Sequence, residues 1–403
     1  MSKTAHIDIY QHAFDTLCDR RLVQSMYSEC EVLMERVLLT LHDEEHTRRR
    51  AVELKLFRRD FARYYEKEVF PRTLSATLEP FLAKGRMDLP DFGFRVNINL
   101  AADIAGIDRN TESAEETECL IAIVRKFSEG ATLFHSTRNK DDVRHEVAEA
   151  LALFDSRFLQ PSRARREQIL LEIEAGRVPV ESAPRDIHTV LLQNRSEQDI
   201  DDAMIRREVA FFMQAASHSS ANAMVHAFHE ITTWCAKHPE DGQRLRSDPF
   251  FLQRCVHESL RLHPASPVAW RTASCPFELV NGSPVQSGES VVIELQKANQ
   301  NHKPFGDEAQ GFNPHREVQG RVPPYGLTFG VGVHTCFGRV LAGGAIPNAD
   351  TDPDEHHYGT LASLLSSLFM HKLRPDPDNS PILDPDTERN NWGIYPVLIE
   401  LKE

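Results

Sequence analysis

No apolar run in the chain approaches the roughly 18 residues that a membrane-spanning helix needs, so a span is not expected. Nor does the N-terminus, Met1-Ser2-Lys3-Thr4-Ala5-His6-Ile7, set a basic stretch before an apolar one, and it does not read as a secretory signal. Cysteine is scarce and unpaired: Cys18, Cys30, Cys119, Cys235, Cys255, Cys275 and Cys336 share no disulfide or metal-type spacing. An odd count without a framework points to a reducing compartment, the cytoplasm, with one thiol committed to chemistry. Positive charge is in deficit, 46 Lys and Arg against 60 Asp and Glu for a net charge of −14, which argues against general nucleic-acid binding. Internal repeats and low-complexity tracts are lacking as well. These exclusions leave a soluble globular chain of 403 residues, 41% of them hydrophobic.

What is present concentrates in Phe329-Gly330-Val331-Gly332-Val333-His334-Thr335-Cys336-Phe337-Gly338. The glycines permit turns that a side chain would block and let a flat ligand come close. A helix-like run follows at once, so Cys336 stands near a positive helix end, which favours the thiolate and makes it a metal ligand or a nucleophile. A buried free cysteine in a glycine-rich loop is the bland alternative.

The stretch resembles the haem-binding signature of the cytochrome P-450 superfamily, Phe-Gly-x-Gly-x-His-x-Cys-x-Gly. The resemblance implies haem b held without covalent attachment, Cys336 as axial ligand to iron, His334 directed at a propionate, and Phe329 and Gly338 as parts of the cradle. A thiolate ligand pushes electron density onto iron and favours O–O cleavage.

Other landmarks follow in the family's order. Leu41–Arg50 resembles the C-helix, whose histidine and arginine hold a propionate; His46 and Arg50, four apart, share a helical face and can grip one anion. Residues 201–235 form the longest expected helix and resemble the I-helix, whose usual centre is Ala-Gly-x-Asp/Glu-Thr. Here the run is Ala215-Ala216-Ser217-His218-Ser219-Ser220, with Ala216 for the glycine, His218 for the acid and Ser219 for the threonine. A proton relay needs a hydroxyl backed by a titratable group. Ser219 supplies the first, and His218 either supplies the second or faces away to make a polar contact. The resemblance places Ala215 and Ala216 at the substrate pocket. Glu258 and Arg261, three apart, with Arg316 further on, resemble the family's structural Glu-x-x-Arg network. Pro267–Arg271 resembles the strand at the haem edge, which implies Arg271 on a propionate and Val268 and Ala269 in the pocket. Asn391–Val397 resembles the last substrate-facing turn, which gives Ile394 to the pocket.

The implied architecture is mainly α with a small β region, a single cytochrome P-450 domain over residues 1–403. Residues 5–40 read as helical, and residues 1–40 as a shortened N-terminal region, whether by family variation or by a start codon placed too late. Residues 51–200 read as amphipathic helices, Glu112–Glu118 as a solvated helix start or loop, and 277–295 as strands around Asn281-Gly282. Residues 347–360 read as an exposed acidic insertion behind the cysteine, with His356 and His357 solvated.

The implied activity is a monooxygenase that activates dioxygen at the haem and places one oxygen atom in a small organic substrate. Electrons from NAD(P)H would come through a separate ferredoxin reductase and ferredoxin, since no flavin or iron–sulfur module is legible. A monomer is the default. Two rivals stand beside it: a peroxide-driven haem-thiolate peroxygenase, motivated by the missing acid–threonine pair, and a non-catalytic haem-binding or sensor protein.

Overall fold

The longest periodic segment becomes a 34-residue helix, Asp202–Cys235, through the interior of the molecule. Asp201 caps it by accepting the Met204 N–H at 2.7 Å, one of the donors a helix start leaves free. The computed structural model describes residues 4–400 apart from positions 58 and 112. The long helix lies against Leu89–Ala105 and Ala114–Ala131, and then against Pro249–Leu262 and Thr360–Met370. Phe92 and Phe228 are fully buried in this main core, each worth about 1.5–3 kcal/mol relative to exposure. Ser113 caps the Ala114–Ala131 helix by accepting the Glu116 N–H at 3.2 Å; Glu112, read as part of that start, lies outside the described residues.

The N-terminal region departs from the helical expectation. Only Tyr10–Cys18 forms a helix of any length there, between the strands Ala5–Ile7 and Leu22–Gln24. Both strands join a four-stranded sheet in the order Ala5–Ile7, Ser290–Ile293, Ala269–Ala273, Leu22–Gln24, parallel in the first pair and antiparallel in the others. Three-residue strands are too short to show a period, and remote partners at 271–273 and 291–293 decide their state. The first sheet is therefore present in a region that reads as shortened. A second core cluster, including Ile7, Leu17, Val291 and Leu327, packs around it.

The chain behind the cysteine also differs from expectation. The helix Arg339–Gly343 stops after five residues and Thr360–Met370 resumes. Between them Asp350, Asp352, Asp354 and Glu355 are exposed, yet His356 and His357 are buried rather than solvated. The His356 ring meets Gln253 Oε1 at 3.0 Å and His357 meets Glu66 Oε2 at 3.3 Å. The buried Gln253 amide donates to the carbonyls of Ala345 and Tyr358 at 3.0 and 3.1 Å, so one side chain closes both ends of the loop. Gly344 and Gly359 sit at φ 78° and 87°, and a Cβ on either would overlap backbone at 2.5 Å or less, which is why both are glycine. The insertion is an exposed acidic tip on a buried base. No helix among the described residues is long and apolar enough to cross a membrane.

Candidate active site

Cys336 is positioned by the turn that its glycines permit. Its N–H donates to Phe329 O at 2.9 Å, and the loop returns through a short 3-10 turn at Gly332–His334. Gly332 lies at φ 74°, with Leu17 O only 3.1 Å from where a Cβ would stand. The cysteine is exposed, and the surface that it exposes lines an internal cavity of ≈ 330 Å³. Burial of the sulfur raises its pKa, while N–H groups of Gly338 and Arg339 and the guanidiniums of Arg50 and Arg339 act in the other direction.

A basic cluster stands beside the thiol. The rings of His46 and His334 lie 4.5 Å apart and those of His42 and His334 6.3 Å apart. Arg50 donates to Thr335 O at 2.6 Å with its guanidinium 4.2 Å from the centre of the Phe337 ring. Arg271 is buried and donates to Trp270 O at 2.9 Å. Burial, then Arg50 and His42, lowers the His46 pKa to about 4; burial and the neighbouring cations lower that of His334 to about 3. Burial also brings Arg271 down to about 10. None of these five side chains is in an ion pair with a carboxylate among the described residues, which makes the cluster a place for an anion.

Behind the loop lies a dense ion network. Arg261, fully buried, holds Glu258 through two bonds of 2.8 Å, and Arg316 Nε reaches the same carboxylate at 2.9 Å. Arg261 also donates to Asn299 O at 2.7 Å, and the Asn299 side chain accepts from Leu327 N at 2.7 Å while donating to Thr328 Oγ1 at 3.2 Å. Asn299 thus ties the network to the strand of chain that enters the cysteine loop. Sequence reasoning missed it, since a lone asparagine carries no spacing signal.

The opposite wall comes from the long helix. Ala215, Ala216, His218, Ser219 and Ser220 all line the cavity. Ser219 Oγ donates to Ala215 O at 2.8 Å, the helix-internal bond that such hydroxyls form, and the helix stays unbroken. His218 Nε2 receives Arg389 Nη2 at 2.7 Å. A guanidinium can only donate, so Nε2 carries the lone pair and Nδ1 the proton, and that Nδ1 is buried without a protein partner. Burial, then Arg389, pushes the His218 pKa well below its ordinary value and keeps the ring neutral.

Three residues expected at the pocket are elsewhere. Ile394 is 46% exposed, on the hairpin of Ile382–Leu383 and Trp392–Ile394. Ala269 packs into the second core cluster, and neither it nor Val268 lines the cavity. The turn between the hairpin strands sends in Arg389 instead, and Tyr27, Ser266 and the buried His135 line the same region. Among the described residues, no Asp or Glu lines the cavity. The only signal for Arg389 in the sequence was an arginine near a hairpin tip, which says nothing of where the tip folds.

The Cytochrome P-450 family model matches residues 117–344, more than half of the chain. The chain belongs to the cytochrome P-450 family. Among curated relatives, cyclooctat-9-en-7-ol 5-monooxygenase of Streptomyces melanosporofaciens is 27% identical over 49% of this chain and 47% of its own. Cytochrome P-450 YjiB of Bacillus subtilis is 22% identical over 83% of this chain and 77% of its own. The chain thus spans about half the length of the first of these relatives. The crystal structure of CalO2 superposes with a TM-score of 0.73 at 18% identity, over 98% of this chain and 90% of that one. A mainly helical cytochrome P-450 fold is what that likeness shows.

The family implies haem, and the residues present fit it. The cavity has one thiol on one wall, small alanines on the facing wall, the rings of Phe57, Phe329 and Phe337 beside the thiol, and unpaired cations at one edge where two propionates can be neutralised. The cytochrome P-450 motif residues His46, Arg50, Phe329, His334, Cys336 and Gly338 all line it, whereas Arg271 approaches from the edge strand and bears on His334.

Proposed function

We propose that this chain is a haem-thiolate monooxygenase, and the observation that carries the proposal is Cys336 lining the same largely apolar cavity as Ser219 and His218. Thiolate-ligated haem supplies dioxygen activation and transfer of one oxygen atom to an organic molecule. Cys336 would hold it from one side, and His46, Arg50, His334 and Arg271 would bind its propionates through charge-assisted hydrogen bonds. Phe57 and Phe337, with ring centres 5.1 Å apart, wall the space around the sulfur and keep water from it. Ser219 Oγ is free to accept while it donates to Ala215 O, so it can hold a proton donor at the cavity surface. His218, neutral and tied to Arg389, orients that wall and carries its own proton at Nδ1. Electrons would come from NAD(P)H through a ferredoxin reductase and a ferredoxin, and the substrate would be a small organic molecule.

The experiment is the carbon monoxide difference spectrum of the dithionite-reduced protein. A Soret band red-shifted from the histidine-ligated position, absent in Cys336→Ala, is the expected result. A histidine-like band, or no haem uptake, would overturn the proposal. A second reading, a peroxide-driven cycle, is favoured by the Ser219 hydroxyl being engaged within its own helix and by the neutral His218. Turnover with hydrogen peroxide matching turnover with the donor chain would select it.

A further inference from the structure

Arg389 is a cation on the wall of a cavity that no Asp or Glu among the described residues lines; Asp384, on the same turn, acts on it at longer range without forming an ion pair among those residues. The turn that carries it is fastened to the segment after Ala114–Ala131 at several points. Thr137 N–H donates to Asp386 O at 3.2 Å, Thr137 Oγ1 to Pro385 O at 2.9 Å, and Glu388 N–H to His135 O at 2.8 Å. The arginine is thereby placed by backbone, on a rigid frame. Its Nη1 donates to Ala265 O at 3.1 Å, its Nη2 to His218 at 2.7 Å, and its Nε lies 3.5 Å from Thr387 Oγ1. One N–H on each terminal nitrogen is left over and can donate to a further acceptor.

The surroundings are those of a binding site. Among the described residues, Arg50 and Arg389 are the only Lys or Arg side chains on the cavity wall. Arg50 is committed to the Thr335 carbonyl beside the thiol, whereas Arg389 stands at the His218 end. His135 is 6% exposed, lines the cavity, and its Nε2 has no partner. Burial and Arg389 keep that ring neutral, with its pKa lowered to about 4. Tyr27 and Ser266 add hydroxyls to the same wall. Beyond them the lining is mostly apolar, with Met26, Leu38, Leu100, Phe134 and Phe211, broken by Asn97, Thr132 and Gln214. Burial lowers Arg389 only to about 10, so it stays charged at neutral pH.

We propose that Arg389, with His135 and Tyr27 beside it, binds the carboxylate of an apolar monocarboxylic acid and so sets the substrate class. This rests on the cavity being the site of the reaction proposed above. The cation would hold the acid end on the hairpin side and leave the apolar body to extend across the alanine wall.

The test uses the haem-loaded protein and matched acid and amide pairs: octanoate, dodecanoate and 4-phenylbutanoate, each against its primary amide. Binding is read by the Soret spin-state shift and, independently of haem, by titration calorimetry. The wild-type protein is expected to bind at least one acid about 10- to 100-fold more tightly than its amide, the range of a hydrogen-bonded charged group. Arg389→Gln should remove that preference and Arg389→Lys should keep part of it, with thermal unfolding of both as a folding control. No acid preferred over its amide, or a preference unchanged in Arg389→Gln, overturns the inference. The wild-type comparison decides alone if the variants do not fold. A thiolate-type carbon monoxide spectrum without acid preference sinks only this inference, whereas acid binding without that spectrum sinks only the activity.

Discussion

The wall of the cavity that carries Cys336 and the wall that faces it are held in different ways. Behind the cysteine, Arg261, Glu258, Arg316 and Asn299 form a buried network that reaches the loop through Leu327 and Thr328. Opposite it, the polar groups come from a helix, a hairpin turn and the segment around His135, and their side chains share single hydrogen bonds such as that of Arg389 with His218. A ligand that must sit at one height above a sulfur needs the first construction. A molecule that is bound, changed and released can do with the second, where one residue can be exchanged without unfolding its neighbours.

The largest separation between the walls should come from Cys336→Ala, with total loss of the red-shifted carbon monoxide band and of turnover; any retained thiolate-type band would break the assignment of the wall. Next, Arg261→Leu takes two charge-assisted bonds from the buried Glu258, leaving Arg316 as its only cation among the described residues, and should cost about 3–5 kcal/mol in urea unfolding. Ser219→Ala, on the facing wall, should stay within about 1 kcal/mol in the same measurement; equal losses would mean that the two walls are not built differently. For turnover the order reverses within the facing wall. His218→Phe with Ser219→Ala should lower the rate by about 10²-fold, the lower edge of what positioned proton donors supply, because the hydroxyl is already engaged and the imidazole is held neutral. Stopped-flow coupling of electrons to product would show it, and an undiminished yield would remove both residues from the proton path.

A fourth contrast concerns pH. Glu53, fully buried on the helix of His46, has no hydrogen-bond partner at either oxygen, and burial and the neighbouring Glu208 raise its pKa well above the carboxylate range. Its folded pKa exceeds the unfolded one, so the folded form keeps a proton that the unfolded chain gives up. The stabilisation is complete below the ordinary carboxylate pKa and is lost as pH rises through the folded value. Wild-type stability should fall by up to about 1.4 kcal/mol per pH unit above that range, and Glu53→Gln should flatten the curve of thermal midpoint against pH. A variant with the wild-type slope would count against a proton held on Glu53 in the folded form. The smallest effect is expected outside the cavity. Asp350→Lys with Asp352→Lys, on exposed acids that make no ion pair among the described residues, should raise the reduction rate by an acidic ferredoxin a few-fold, and salt should erase the gain. No change in rate would separate the insertion from electron delivery.

Much of this was legible because some chemistry is written locally. The cysteine loop is a run of turn-permitting glycines around one thiol. His46 and Arg50 share a helical face, and Glu258 and Arg261 do so within one turn, so their pairing follows from spacing. The long helix carries its own cap and length. Where the sequence misled, the deciding partner was remote. Ala5–Ile7 became a strand because Val291–Ile293 lies alongside it. His356 and His357, which look solvated in an acidic stretch, are buried because Gln253 and Glu66 reach them from elsewhere. Ile394 and Arg389 sit five residues apart on one hairpin, and nothing in its composition says which of them points inward.

By itself, then, the sequence determined the thiol, the basic pair, the core ion pair and the long helix with its altered centre, since each is set by neighbours within a few residues. Only the tertiary structure decided that Arg389 closes on His218, that Asn299 joins the network to the cysteine loop, and that no Asp or Glu among the described residues lines the cavity. Those facts depend on which side chains meet across stretches of chain from 28 to 171 residues, and it is burial that gives their charges and unpaired donors consequence.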